Sequence, residues 1–247
     1  GLHISESPTQ VAAKSEVIIT MLPDTPDVEK VLIGENGVLA NIDAGKVIVD
    51  MSSISPSETR HFASMANEKG CEYLDAPVSG GQVGAEAGNL TIMVGGDPKT
   101  FEQIKPLFEI MGGNITLVGD VGSGQICKVA NQIIVALTIE AVAEALLFSA
   151  KAGVDPSRVR QALMGGFAGS KILEVHGERM IKRSFDSGFR IALHQKDLGL
   201  ALSGARALGL SLPNTATTQE LFNACDGKLD HSALVKALEG LAGHTLA

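Results

Sequence analysis

Two hydrophobic rhythms divide the chain. Up to about residue 120, short unbroken apolar runs alternate with capped, half-polar segments. The runs lie at 16–22, 45–52, 71–77, 89–94 and 115–118, and most close on Pro, Gly, Ser or Asp. Continuous apolar runs of this length, bounded by turn residues, read as strands of a mostly parallel sheet covered on both faces. Between them stand the N-cap-plus-proline signals Ser7-Pro8, Thr25-Pro26, Ser55-Pro56 and Asp97-Pro98. Each predicts a helix, at 9–14, 25–31, 56–69 and 99–111, because a side-chain oxygen caps the first turn and proline suits its first position. After residue 124 the rhythm changes. Residues 125–151 contain neither proline nor glycine and are rich in Ala, Leu, Ile and Val. They predict one helix of about 40 Å, apolar on almost every side and therefore buried. Helices are predicted again at 156–164, 171–183, 195–208, 214–225 and 231–241, with no further strand. The fold class is α/β, followed by an all-helical region. The predicted domains are 1–121 and 122–247, joined by the long helix.

Composition narrows the function. With 247 residues, 45% of them hydrophobic, there is room for two ordinary domains. The net charge of −8 argues against nucleic acid or an anionic membrane as partner. Cys71, Cys127 and Cys225 are odd in number and far apart, so they make neither a disulfide framework nor a CxxC metal site. A reducing, cytoplasmic setting is expected, and no signal-peptide pattern opens the stretch. Residues 133–150 are apolar enough to suggest a membrane span. Glu140 and Glu144 near their middle argue against it, and these two are expected to pair with basic residues. The six histidines show no metal-ligand spacing; His61 is expected to face solvent, and no metal is expected.

Chemistry gathers at the predicted strand ends, where parallel nucleotide-binding sheets hold their ligand. Met21-Leu22-Pro23-Asp24, Asp50-Met51-Ser52-Ser53 and the stretch from Asp75 to Gly81 follow three successive strands. In the third, Ser79-Gly80-Gly81 offers a hydroxyl and two unobstructed backbone N–H groups, a small nest for a carboxylate. The G-x-G-x-x-G fingerprint is not found. Gly122-Ser123-Gly124 comes nearest, but it leads into the long helix and reads as a turn and helix start. Lys128 lies early in that helix, and Asn131 and Gln132 follow three and four residues later, on the same face. Spacing alone reads as a lysine snorkelling to solvent, with amides bridging to a neighbouring helix.

Three segments together resemble the β-hydroxyacid dehydrogenase (3-hydroxyisobutyrate dehydrogenase-like) family. They are Asp75-Ala76-Pro77-Val78-Ser79-Gly80-Gly81, then Gly122-x-Gly124 with Lys128 and Asn131, then Lys196-Asp197-Leu198. The resemblance runs from about Ser7 to the C-terminus. Further segments resemble the branch acting on tartronate semialdehyde. They are Asp50-Met51-Ser52-Ser53-Ile54, Gly165-Gly166-Phe167-Ala168-Gly169-Ser170, Gly188-Phe189-Arg190-Ile191 with Leu193-His194, and Asp230-His231-Ser232-Ala233-Leu234. The hydroxyisobutyrate enzymes and the glyoxylate and succinic semialdehyde reductases are the alternatives.

The resemblance implies a Rossmann-like domain binding NAD or NADP and a helical domain for substrate and dimerisation. It implies reduction of a short semialdehyde acid, with Lys128 as the catalytic acid/base. By the same resemblance, Ser79, Gly80 and Gly81 hold the substrate carboxylate, and Asn131 or Gln132 holds its hydroxyl or carbonyl. Leu22, Pro23, Ser53 and Lys196 border the cofactor, and Asp197 either orients Lys196 or caps a helix. The family commonly has asparagine where this chain has Gln132, while its own asparagine is Asn131. The family's first β-α-β unit, with its Gly-rich turn, has no counterpart after Gly1, so a non-catalytic dimerisation remnant is the rival expectation. The long helix predicts a homo-oligomer, a dimer or tetramer.

Overall fold

A computed structural model of the chain describes residues 3–246. It forms two compact units, Gly1–Lys128 and Val129–Ala247. In the first, α1 (Pro8–Lys14) leads to β1 (Val17–Thr20), α2 (Thr25–Ile33), β2 (Val47–Asp50), α3 (Pro56–Glu68) and β3 (Glu72–Asp75). These three strands are parallel and in register, with Thr20 beside Asp50 and Asp50 beside Asp75. The three candidate strand ends therefore lie on one edge.

Beyond β3 the sheet departs from the expected parallel pattern. The chain adds the two-residue β4 (Val78–Ser79) and α4 (Gly81–Glu86) before β5 (Leu90–Gly95). A helix of six residues is only about 9 Å long and cannot carry the chain back along a strand. So β5 runs antiparallel to both β3 and β4. The crossover through α5 (Pro98–Met111) then returns β6 (Gly112–Gly119) parallel to β5. The sheet is mixed, in the order β1-β2-β3-β5-β4 with β6 also on β5.

Pleating sends alternate residues of β2 to opposite faces. Ile48 joins Ile18, Val28, Leu32, Phe62 and Tyr73 in one core, whereas Val47 and Val49 join Leu74, Ile92, Ile104 and Phe108 in the other. The edge strand β1 differs from its neighbours. Ile19 is exposed, as is Met21 just beyond it, so β1 is covered on one face rather than two.

The long helix α6 (Ser123–Lys151) is followed by α7 (Pro156–Leu163), α8 (Lys171–Lys182), α9 (Ile191–Ala207), α10 (Pro213–Asn223) and α11 (Val235–Ala242). A 3-10 turn at His231–Leu234 precedes α11. In the second unit Ala136, Ile139, Ala143 and Leu146 of α6 pack with Met180, Leu198, Phe222 and Leu234. Helix α9 starts four residues earlier than its sequence signal. Buried Ile191 draws its first turn in, and Arg190 before it contributes no side-chain cap for the sequence to reveal.

Helix α6 is less enclosed than its composition predicts. Ile134, Ala141, Ala145 and Phe148 are exposed along one side. Its most apolar 18-residue window has a mean hydropathy of 2.0, long and apolar enough for a membrane span, and is 39% buried.

Gly122 and Gly124 have separate tasks at the start of α6. Gly122 turns the chain at φ +89°, a region L side chains avoid. Gly124 sits against β5 and the end of β3: a Cβ there would fall on the Met93 carbonyl oxygen and within 2.8 Å of the Asp75 carbonyl and carboxylate oxygens. The segment is a turn followed by a close helix–strand contact, in keeping with its reading as a helix start. Gly124→Ala is expected to cost about 1–3 kcal/mol of overpacking, read as a lower denaturation midpoint in urea.

Candidate active site

A buried polar network holds the strand-end edge of the first unit. The Thr20 hydroxyl donates to Asp50 Oδ1 at 2.8 Å, and Ser52 N–H donates to the same oxygen at 3.0 Å. Leu22 N–H donates to Ser52 Oγ at 2.9 Å, tying the loop after β1 to the loop after β2. Burial raises the Asp50 pKa against the lowering effect of its hydroxyl and N–H donors. Ser53, beside these groups, is half-buried, and Pro23 is exposed at the rim.

The third strand end reaches helix α6. Asp75 Oδ1 accepts from Gly122 N–H at 2.7 Å, and Oδ2 accepts from Gln125 N–H at 2.8 Å. A buried carboxylate thus occupies the positive end of α6, where unpaired N–H groups need acceptors. Burial is the largest influence on Asp75 and raises its pKa to about 6, partly offset by these two N–H groups. The Gln125 side chain completes the tie, donating to the Ser52 carbonyl at 2.7 Å and accepting from Ile54 N–H at 3.1 Å. Gln125 was not singled out from the sequence. Its only signal there was a long polar side chain in the first turn of a helix otherwise apolar.

The sequence-nominated groups divide between the two units. Ser79 pairs with Thr91 across β4 and β5, and Gly80 and Gly81 follow with φ of 130° and 60°. Both glycines are exposed. Lys128, one turn further along α6 than Gln125, is 6% exposed, so it does not snorkel. In the second unit Gln132 is buried, accepts from Asn131 Nδ2 at 2.8 Å and donates to Asp197 Oδ2 of α9 at 2.5 Å. That is the bridge to a neighbouring helix its spacing suggested. Asp197 Oδ1 also lies 3.2 Å from Lys196 Nζ, so one carboxylate joins Gln132 to Lys196.

Three histidines far apart in sequence meet in the second unit. His194 lies 3.1 Å from His231, and His231 lies 3.2 Å from His176. His176, Asp230 and His231 place potential ligand atoms within 4.8 Å of one another. This group does not fit a metal. Asp230 already accepts from Ser232 N–H, the Ser232 hydroxyl, Gly188 N–H and Phe189 N–H, and pairs with Arg179 at 2.7 Å. Burial works against its charge, but His176 and Ser232 beside it hold its pKa well below the carboxylate range. Elsewhere Glu140 and Glu144, expected to pair with basic residues across a domain or subunit interface, contact each other within the chain. Burial and the adjoining Glu144, which shares a hydrogen bond with it, raise the Glu140 pKa to about 7. His61 faces solvent on α3, and all three cysteines are free thiols.

Parallel strand ends stitched to the start of a long helix suit a dinucleotide, and similarity to known proteins identifies a dinucleotide-dependent oxidoreductase. Residues 1–119 match the NAD-binding domain of 6-phosphogluconate dehydrogenase, and residues 122–238 match the NAD-binding domain of NADP-dependent 3-hydroxyisobutyrate dehydrogenase. The chain is 67% identical over 246 residues to 2-hydroxy-3-oxopropionate reductase of Escherichia coli (strain K12), covering 98% of this chain and 84% of that protein. It is 41% identical over 248 residues to 2-(hydroxymethyl)glutarate dehydrogenase of Eubacterium barkeri, covering 98% and 82%. The structure of Mycobacterium tuberculosis 3-hydroxyisobutyrate dehydrogenase with L-serine superposes with a TM-score of 0.86 at 32% identity, covering 95% and 83%. The chain belongs to the β-hydroxyacid dehydrogenase family, the 3-hydroxyisobutyrate dehydrogenase-like enzymes, and is an NAD(P)-dependent oxidoreductase acting on a small molecule.

The Asp75 clamp has a pH signature. Its folded-state pKa lies above its unfolded value, so its contribution to stability is complete in acid and is lost as pH rises from about 4 through about 6. Asp75→Asn keeps one acceptor of the two and is expected to cost about 1–3 kcal/mol. Denaturation curves at several pH values are expected to lack this part of the wild-type slope.

Proposed function

We propose that this chain reduces tartronate semialdehyde (2-hydroxy-3-oxopropanoate) to glycerate, with Lys128 as the catalytic acid. The observation that carries this reading is a lysine 6% exposed, one turn before the Asn131–Gln132 amide pair on a helix anchored by Asp75. A buried lysine calls for a chemical reason, since its desolvation is costly. The 67% identity to the E. coli 2-hydroxy-3-oxopropionate reductase supports this choice of aldehyde.

A nicotinamide dinucleotide, when bound, supplies the hydride that reaches the carbonyl carbon. Residues 1–121 hold it and residues 122–247 shape the substrate pocket and the subunit contact. The loops at Leu22-Pro23 and Ser53 suit a nucleotide because the Ser52–Asp50–Gln125 network keeps their backbone in place beside parallel strand ends. Lys196, braced by Asp197, borders the same ligand. Ser79 Oγ and the N–H groups of Gly80 and Gly81 receive the substrate carboxylate. Lys128 gives its proton to the carbonyl oxygen as the carbon takes the hydride, and regains one from water afterwards. Asn131 meets the substrate hydroxyl, because the Gln132 amide is already engaged at both its oxygen and its nitrogen.

Lys128→Ala is expected to lower kcat by about 10²–10⁴, the range for a lost positioned proton donor. Nucleotide affinity, followed by NADH and NADPH fluorescence, is expected to stay near wild type. The same titration identifies the preferred dinucleotide. Near-normal turnover by the variant would remove Lys128 from this role. Competing kcat/KM values for tartronate, succinic and methylmalonic semialdehydes and glyoxylate test the substrate; a preference other than tartronate semialdehyde would overturn it.

The exposed side of α6 is assigned to a second copy of the chain. Ile134, Ala141, Ala145 and Phe148 recur at helical spacing and form an apolar stripe. A homo-oligomer in a reducing cytoplasm fits this stripe and the free thiols. Equilibrium sedimentation is expected to show a dimer or larger assembly, and Phe148→Glu is expected to shift it toward monomer.

A further inference from the structure

Three histidines form a column that ends on the backbone of α6. His176 of α8 contacts His231 Nε2 through its own Nε2 at 3.2 Å. His231 Nδ1 contacts His194 Nδ1 at 3.1 Å, and His194 Nε2 contacts the Gln132 carbonyl oxygen at 3.1 Å. His194 is fully buried and His231 is 6% exposed. Phe189 and Phe222 pack against the rings.

The Gln132 carbonyl and a neutral His194 together set the direction of the column. A carbonyl oxygen can only accept, so His194 must carry its proton on Nε2. With His194 taken as neutral, Nδ1 is bare and accepts from His231 Nδ1–H. Burial, then the neighbouring histidines, push the His231 pKa well below the usual value, which keeps that ring neutral. His231 Nε2 is then bare and accepts from His176 Nε2–H. At the far end His176 Nδ1, buried and without a hydrogen-bond partner, faces Asp230 Oδ1 at 3.7 Å. Arg179 pairs with the other oxygen of Asp230. Protonation of His176 would add a hydrogen at Nδ1 and leave the other three contacts unchanged. The column does not conduct a proton into the active site, because it ends on a carbonyl.

We propose that His176, His231 and His194 are positioning residues that pin α6 against α9 at the Gln132 carbonyl, and so set the rotation at which the helix presents the Asn131–Gln132 amide pair, one turn from Lys128. The inference rests on the function proposed above. Gln132 is held at three points: its carbonyl by His194, its side-chain nitrogen by Asp197 and its side-chain oxygen by Asn131. Removing His194 leaves the side-chain bond from Gln132 to Asp197 to tie α6 to α9 at this point. Small misplacements of groups that orient a substrate cost rate more than binding.

The test combines imidazole ¹⁵N NMR of the full chain with two substitutions. In the wild type the expected protonated nitrogens are Nε2 of His194, Nδ1 of His231 and Nε2 of His176. A His231 ring protonated on Nε2 and bare on Nδ1 would overturn the proposal, and needs neither a variant nor activity. His194→Gln places an amide N–H near the position of Nε2, whereas His194→Phe keeps the ring shape and loses the donor. His194→Phe is expected to lower kcat about 10- to 100-fold with the nucleotide dissociation constant unchanged, and to shift the Asn131 and Gln132 side-chain amide signals. His194→Gln is expected to restore most of both. Equal losses in the two variants at equal folded fraction, or wild-type kcat in His194→Phe, would overturn it. If His194→Phe fails to fold, the wild-type protonation pattern decides. Failure of the wild type to reduce tartronate semialdehyde would count against the proposed function alone, because the protonation pattern and amide signals are read without substrate.

Discussion

The carboxylate of Asp75 is the fixed point of the first unit. It stands at the end of β3 and accepts both Gly122 N–H and Gln125 N–H, so the last residue of one strand sets where α6 begins. Ionising a buried carboxylate is costly, which is why its pKa lies near 6. The orphan N–H groups and positive end of a helix are one of the few environments that can compensate it. Gly95 and Gly124 leave room for this contact, since a Cβ at either would reach an Asp75 side-chain oxygen. From there Gln125 carries the constraint to Ser52 and Ile54, and Ser52 carries it to Leu22. Three loops that follow three parallel strands are held by buried polar side chains as well as by the apolar packing of Met51, Ile54 and Ala76.

The helix then brings its own chemistry into order by spacing. Gln125 is tied to the strand ends, Lys128 follows one turn later, and Gln132 one turn after that is tied to Asp197 and His194. Both ties, at Gln125 and at Gln132, lie within a few residues of the lysine along α6, and each is a directional hydrogen bond to an amide. Directional contacts resist rotation of the helix about its axis, which apolar contacts do poorly. That suits the role proposed for Lys128, which depends on where its Nζ lies.

The histidine column shows how a buried polar network can be specified from one end. With His194 neutral, the Gln132 carbonyl as an obligate acceptor assigns a role to each nitrogen of the column but one. Unsatisfied buried polar groups are costly, so a network of this kind persists when its members agree. The exception, His176 Nδ1, lies beside the ion-paired Asp230.

The sequence by itself determined the element order, because apolar runs, caps and prolines are local signals. The strands at β1, β2 and β3 and the helices that begin at Pro56, Pro98, Pro156 and Pro213 lie where those signals place them. It also marked Lys128, Asn131 and Gln132 by spacing on one helix, and the three strand ends by their turns. Tertiary structure decided the rest. The antiparallel β5 and the short β4 and α4 carry no strong periodicity, and their direction depends on a connection too short to cross the sheet. The exposed side of α6 has the same residue types as its buried side, so composition could not separate them. The contacts of Asp75, Gln125, His176 and His231 could not be read from the chain because their partners lie tens of residues away. Only folding brings a carboxylate to a helix end, or three rings into line, and their roles follow from that proximity.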